Sequence, residues 1–303
     1  MRIIDGHTHI ASTRFVPQSF MEGVADNVVE QMHLAPVRVS RARVLDRLLA
    51  DYHDHDGGIQ IREMDKLGIE KAVVLLPDFT YALPDGPLTI AEMFREHKDI
   101  LQRHPNRFVV FAGVDPRWGK DGFDLFVEGV ERYGFRGLKL YPPCGYRPDS
   151  DLLTPYYEYC QAHRLPVLLH IGATSPALSF SEAMPMHVDA PARKYTEIPF
   201  ILAHGAVNYV EQCVQLCKYR PNVYLDLSGA QHNLNDVVRL CSSGINHKCI
   251  FGTDWPINNI ASVNKRLIAL FSNEADVKPY ISLRESELVL SGNIERLLSR
   301  VRI

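Results

Sequence analysis

The chain has 303 residues, 46% of them hydrophobic and 23% charged, which suits a globular protein with a sizeable core. The formal net charge of −3, with no basic cluster, argues against nucleic acid or an anionic membrane as a partner. No apolar run approaches the ~20 residues of a spanning helix, and the N-terminus reads as a buried strand rather than a signal peptide, so a cytoplasmic location is the default expectation.

In chain order, short apolar runs bounded by Gly, Pro or Asp recur: RIIDGHTH, KAVVLLP, RFVVFAGV, GLKLY, PVLLHIG, FILAHGA, VYLDLSG and CIFGTDWP. Near-continuous hydrophobic runs of this length suit parallel strands covered on both faces. Helical patterns lie between them. QIREMDKLG precedes the second run, with Met64 and Leu67 one turn apart and Gly68 as a stop, and AEMFREHKDILQRHP precedes the third. FDLFVEGVERYG, LTPYYEYCQAHRLP, YVEQCVQLCKYRP and LNDVVRLCSSG lead to the fourth, fifth, seventh and eighth, while only DAPARKYTE offers a short helix before the sixth.

Eight strands alternating with helices predict an α/β protein of the (β/α)8 TIM-barrel type, as a single domain over residues 1–303. A doubly wound sheet is the rival, but no G-x-G-x-x-G follows the first run. Two long insertions follow strand ends, residues 11–58 with an amphipathic helix around RVLDRLLADY, and residues 173–198. Loops there lie on the catalytic face of a barrel, so both are candidate lids or contacts of a homodimer. The six cysteines contain no C-x-x-C pair and read mainly as buried free thiols.

The unusual polar residues collect at strand ends. His7 and His9 share one face of the first strand, with Asp5 on the same parity one step deeper. Lys139 lies between Leu138 and Leu140, so it points into the barrel if those leucines pack on the helices. His170 ends the fifth strand, His204 the sixth and Asp254 the eighth. Alone, each has a bland role in packing or capping; together, four imidazoles and a carboxylate at the strand C-termini predict a divalent metal site, with Zn2+ favoured over Mn2+ or Fe2+. A second His-x-His, His53 and His55 in YHDHDGG, has no strand to hold it to one face. It reads as solvent-exposed, with Asp56 and the glycines as capping and turn residues.

The motifs DGHTH, GFRGLKLYPP, PVLLHIG, ILAHGA, FGTDWP and SGNIERLL together resemble the amidohydrolase superfamily, in particular the amidohydrolase-related branch that includes aminocarboxymuconate semialdehyde decarboxylase. The resemblance covers nearly the whole chain and implies a distorted barrel with metal at its mouth. In single-metal members the ligands fall on His7, His9, His170 and Asp254, leaving His204 to polarise substrate or move protons. In two-metal members His170 and His204 hold the second ion and Lys139 bridges both as a carbamate. One ion is the favoured expectation.

Such a site suits hydrolysis of an amide, lactone or ester of a small molecule. A metal-activated water attacks, Asp254 handles protons, and the metal with His204 polarises the carbonyl. The alternative is non-oxidative decarboxylation of an unsaturated or aromatic acid, with Asp254 or His204 as proton donor. That alternative needs a substrate-binding cation, for which Arg14 and Arg147 are candidates, while Tyr141, Tyr146 and Trp255 are candidates to stack on a ring. A barrel that keeps metal as a structural or sensing module is a third reading, disfavoured because structural zinc sites are usually closed and rich in cysteine.

Overall fold

The computed structural model describes residues 1–32, 39–272 and 281–303. One parallel sheet runs in the order β1 (Ile3–Thr8), β2 (Ile69–Leu76), β3 (Phe108–Ala112), β4 (Gly137–Leu140), β5 (Val167–His170), β6 (Phe200–Ala203), β7 (Val223–Asp226) and β8 (Cys249–Ile250). Each of the eight expected runs supplies one strand, and the fold is a TIM barrel. β8 is only two residues long, yet the chain beyond it keeps pairing with β1. Gly6 N–H donates to the Phe251 carbonyl at 2.8 Å, His9 N–H to Trp255 at 2.7 Å, and Asp254 N–H to His7 at 2.8 Å. Asp5 accepts the His7 backbone N–H at 3.1 Å. Its carboxylate accepts from the Thr253 N–H at 3.0 Å and hydroxyl at 2.7 Å, and so helps close the barrel.

Strand alternation divides the side chains between two layers. Leu76, Leu138, Leu140 and Leu169 pack with helix residues such as Phe94 and Phe126. Ile4, Val73, Leu75, Phe111, Leu168 and Ile201 fill the barrel interior, where Ile294 and Leu297 of the C-terminal helix (Asn293–Leu298) join them. Because Leu138 and Leu140 face the helices, Lys139 faces inward, as the pattern predicts. By the same parity His170 follows Leu168, and Asp226 follows Tyr224 into the interior. β3 is followed by Gly113, where a Cβ would stand 2.4 Å from the Leu76 carbonyl oxygen and 2.9 Å from that of Lys139. Only glycine lets the backbones of β2 and β4 come so close at the level of Lys139.

The first insertion holds two helices where one was expected. α1 (Gln18–Gln31) starts after Pro17, and α2 (Arg41–Leu49) is capped by the Ser40 side chain, which accepts from Arg43 N–H. Residues 33–38 of that insertion lie outside the described residues. In the second insertion, short 3-10 turns at Ser181–Ala183 and Pro185–Val188 precede a helix over Asp189–Lys194. The two insertions are tied together: Asn27 Nδ2 donates to the Thr174 carbonyl at 3.0 Å, and the Ser175 hydroxyl to that of Phe20 at 2.9 Å. All six cysteines are free and buried. No helix among the described residues is long and apolar enough to cross a membrane.

Candidate active site

Four functional side chains meet where β1, β6 and the segment after β8 end, and Asp226 of β7 organises them. His7 Nδ1 lies 2.6 Å from Asp226 Oδ2, both fully buried. A carboxylate can only accept, so Nδ1 carries a proton, and a bound cation would take the place of any proton on Nε2. That Nε2 is buried with no hydrogen-bond partner among the described residues and lies 3.3 Å from Asp254 Oδ1. His9 is set the same way: Nδ1 donates to the Leu75 carbonyl at 2.8 Å, and Nε2 stands 3.7 Å from the same Asp254 oxygen. The other Asp226 oxygen takes the Ser228 hydroxyl proton, so Ser228 Oγ accepts from His204 Nδ1 at 2.9 Å. The same carboxylate oxygen also accepts the backbone N–H of His204 at 2.9 Å and of Ser228 at 3.1 Å.

His204 and Asp254 both sit in the left-handed region, at φ 60° and 59°. Such a conformation costs a non-glycine residue about 1–2 kcal/mol, and strain of this kind persists where surrounding contacts enforce it. Here the enforcing contacts are visible: Val207 and Asn208 N–H groups donate back to the His204 carbonyl, and Asn258 N–H to that of Asp254.

Among the described residues, one ligand atom each from His7, His204 and Asp254 lies within 4.8 Å of the others. With His9 beside them, imidazole nitrogens and a carboxylate oxygen converge, the donor set of a Zn2+, Mn2+ or Fe2+ site. The orphaned His7 Nε2 fits such an occupant, since a buried acceptor without a partner is otherwise costly. His170 borders this cluster, outside the 4.8 Å group. Its Nε2 is 3.2 Å from the Ala173 carbonyl, and its ring packs 4.5 Å from that of Tyr141 and 4.9 Å from that of His204.

Burial opposes a charge on His7, but Asp226 and then Asp254 outweigh it and raise the ring to about 9. Burial, opposed by Asp254 and Asp226 but joined by His7 and Lys139, holds His204 below the usual imidazole range. Burial alone would raise the Asp254 carboxyl; His204, His7 and His9 instead hold it well below the ordinary carboxylate range. Lys139 is brought down to about 8, mainly by burial, with Asp226 and Asp254 partly restoring it.

The cluster opens on a cavity of about 380 Å³. His9, Lys139, His170, His204 and Asp254 line its deep end, and Phe20, Val24 and Val28 of α1 line one wall with Phe79 and Tyr141. Of the aromatics expected at the site only Tyr141 lines it, its hydroxyl sharing a 2.6 Å hydrogen bond with Thr174. Tyr146 is buried and accepts the Tyr141 backbone N–H at 2.7 Å, and Trp255 is buried beside β1; both are packing residues. The two expected substrate cations are corrected by the structure. Arg14 pairs with Glu96 on a separate surface pocket, and Arg147 pairs with Asp149 at 2.6 Å, half-exposed. Both are long side chains on loops, where a nearby acid captures them.

Sequence reasoning missed Asp226, Ser228, Tyr52 and His97. The signal for the first was present, since Asp226 breaks the apolar run VYLDLSG at the same strand-end level as His170 and His204. Tyr52 lines the cavity and is 6% exposed. The neighbouring His-x-His explains how it is held. His53 bridges Ser12, His55 Nδ1 is 2.7 Å from Ser12 Oγ, and Thr13 N–H donates to the Tyr52 carbonyl at 3.1 Å. His53 and His55 are exposed, as expected, and Asp56 Oδ1 accepts Gly58 N–H at 3.0 Å at the turn.

A barrel with an imidazole and carboxylate cluster at the strand ends is the architecture of a metal-dependent enzyme class, and the comparisons agree. The chain belongs to the amidohydrolase family, whose model matches residues 4–300. Among solved structures it is similar to an uncharacterized TIM-barrel protein of Bordetella bronchiseptica, at 18% identity over 99% of both chains, TM-score 0.72. It is also similar to a 2,6-dihydroxybenzoate decarboxylase bound to 2,6-dihydroxybenzoate, at 15% identity over 99% of both, TM-score 0.68. A third similar structure is a 5-carboxyvanillate decarboxylase of Novosphingobium aromaticivorans with manganese and 4-hydroxy-3-methoxy-5-nitrobenzoic acid, at 15% identity over 98% and 96%, TM-score 0.68. At these identities the likeness is one of fold. No curated protein matches the chain.

Proposed function

We propose that this protein is a metal-dependent, non-oxidative decarboxylase of an aromatic or unsaturated carboxylic acid. The observation that carries the proposal is the cavity itself: apolar walls, the Lys139 ammonium as the one Lys or Arg among the described lining residues, and the His/Asp cluster. Two of the similar folds are decarboxylases of hydroxylated aromatic acids, which supports the reading. His7, His9 and Asp254 would hold the ion with His204 in reach, and His170 would join by giving up the Ala173 carbonyl. When bound, the divalent ion supplies a Lewis acid for the substrate's oxygens. The donor set suits zinc and also manganese or iron, and manganese is the ion in the Novosphingobium enzyme.

The chain's own groups do the rest. The aromatic wall fixes the plane of the substrate and excludes water. Asp254 or His204, both lining the cavity and both unprotonated at rest, first takes a proton from the substrate's hydroxyl or from solvent and relays it to the carbon that bears the carboxylate. The carbon–carbon bond then breaks, its electron pair remains with the ring or alkene, and carbon dioxide leaves. Proton gained and carbon dioxide lost balance the step.

The hydrolase reading uses the same cluster, with Asp254 taking a proton from water instead. Incubating the metal-loaded protein in D2O with hydroxybenzoates and enoic acids, and separately with lactones and amides in 18O-water, separates the two. Carbon dioxide release with one deuterium placed on carbon supports the decarboxylase. Incorporation of 18O into a lactone or amide product, with no carbon dioxide from any acid, overturns it.

A further inference from the structure

Lys139 is 1% exposed, and its Nζ is buried without a hydrogen-bond partner among the described residues. It nevertheless lines the cavity, held there by Leu138 and Leu140, which anchor the strand against the helices. A buried ammonium with no acceptor is costly, and the cost is recovered when an anion arrives. Lys139 is also the one Lys or Arg among the described residues that line the cavity, since Arg14 and Arg147 are paired outside it. Beyond it the walls turn apolar: Phe20, Phe79 and Tyr141 form a contiguous face, with ring centroids 4.7 Å and 4.9 Å apart in succession.

We infer that the cavity selects monocarboxylic acids, with Lys139 as the receptor for the single carboxylate and the Phe20–Phe79–Tyr141 face against a flat apolar body. This rests on the decarboxylase reading for its reaction, but not for its binding chemistry. A second carboxylate on the substrate would point at the apolar wall, where no Lys or Arg among the described residues meets it, and an unpaired buried charge is strongly penalised. The inference therefore separates this protein by substrate class from enzymes of the same fold whose acids carry a second carboxylate.

The test is calorimetric titration of the metal-loaded protein with 2-hydroxybenzoate, its neutral amide, and 2-hydroxyisophthalate as the dicarboxylate. The monoacid should bind at least tenfold tighter than either. In Lys139→Met, which keeps the side-chain length, and in Lys139→Gln as a second variant, the preference for acid over amide should vanish while amide affinity and metal content stay unchanged. Three results overturn the inference: the dicarboxylate binding as tightly as the monoacid, either variant keeping the preference, or intact mass showing Lys139 carbamylated. Selective acid binding without carbon dioxide release from any acid instead removes the decarboxylase reading and leaves the receptor standing.

Discussion

The imidazole of His7 and the carboxylate of Asp226 meet at 2.6 Å although 219 residues separate them in the chain. Through this contact, and through Ser228 to His204, one buried acid sets the tautomer of two imidazoles that face Asp254. Partners that orient metal-ligating histidines typically carry 10–100-fold in affinity.

Asp226→Asn tests that role. An amide offers one acceptor oxygen where the carboxylate offers two, so it cannot serve His7 and Ser228 together. Metal affinity should fall about 10–100-fold with the fold intact by circular dichroism. Wild-type affinity in a competition titration with a chelating dye would show that Asp226 does not govern the site.

The two His-x-His pairs should behave in opposite ways. Protein carrying both His7→Ala and His9→Ala should retain no divalent ion by elemental analysis, whereas His53→Ala with His55→Ala should keep it near one equivalent. The same measurement identifies the ion as zinc or manganese. Equal loss in both double variants would mean that the exposed pair, through its contacts with Ser12, supports the fold on which the site depends.

Tyr52 presents a phenol to the cavity, and Asp254 is among the charges that raise its ionisation, after burial. Removing only the hydroxyl in Tyr52→Phe should lower turnover of a decarboxylated acid about tenfold or less, the worth of a single hydrogen bond, with metal content unchanged. Arg14→Gln and Arg147→Gln, which alter surface pairs, should change kcat/KM little. A larger loss from either arginine than from Tyr52 would reverse this placement.

His97 gives a pH dependence that can be read away from the metal cluster. Burial lowers its ring from 6.5 to about 4, opposed only by the hydrogen bond of Nδ1 to the Met93 carbonyl. The native ring therefore stays neutral between these values while the unfolded ring takes up a proton. Its contribution is present above about 6.5 and is lost as pH falls towards about 4. The full effect is on the order of 3 kcal/mol. Urea unfolding of wild type and His97→Leu across that window should show the wild type losing stability more steeply on acidification. Parallel curves would mean that His97 titrates normally.

Much of this protein is written locally. Eight apolar runs of strand length, the inward parity of Lys139 between two leucines, and the placing of His7, His9, His170, His204 and Asp254 at strand ends follow from periods of two and 3.6 residues and from turn chemistry. These depend on near neighbours in the chain, so the sequence carries them. What the tertiary structure alone decided is which of those groups meet. It brought Asp226 of β7 to His7 of β1 past the short β8, and it set His170 against the Ala173 carbonyl. It paired Arg14 and Arg147 away from the cavity, and it delivered Tyr52 to the cavity by way of Ser12. Each of these is a distance between residues far apart in sequence or on flexible side chains. Such distances are fixed by barrel closure and by competition among nearby partners, and no local pattern records that competition.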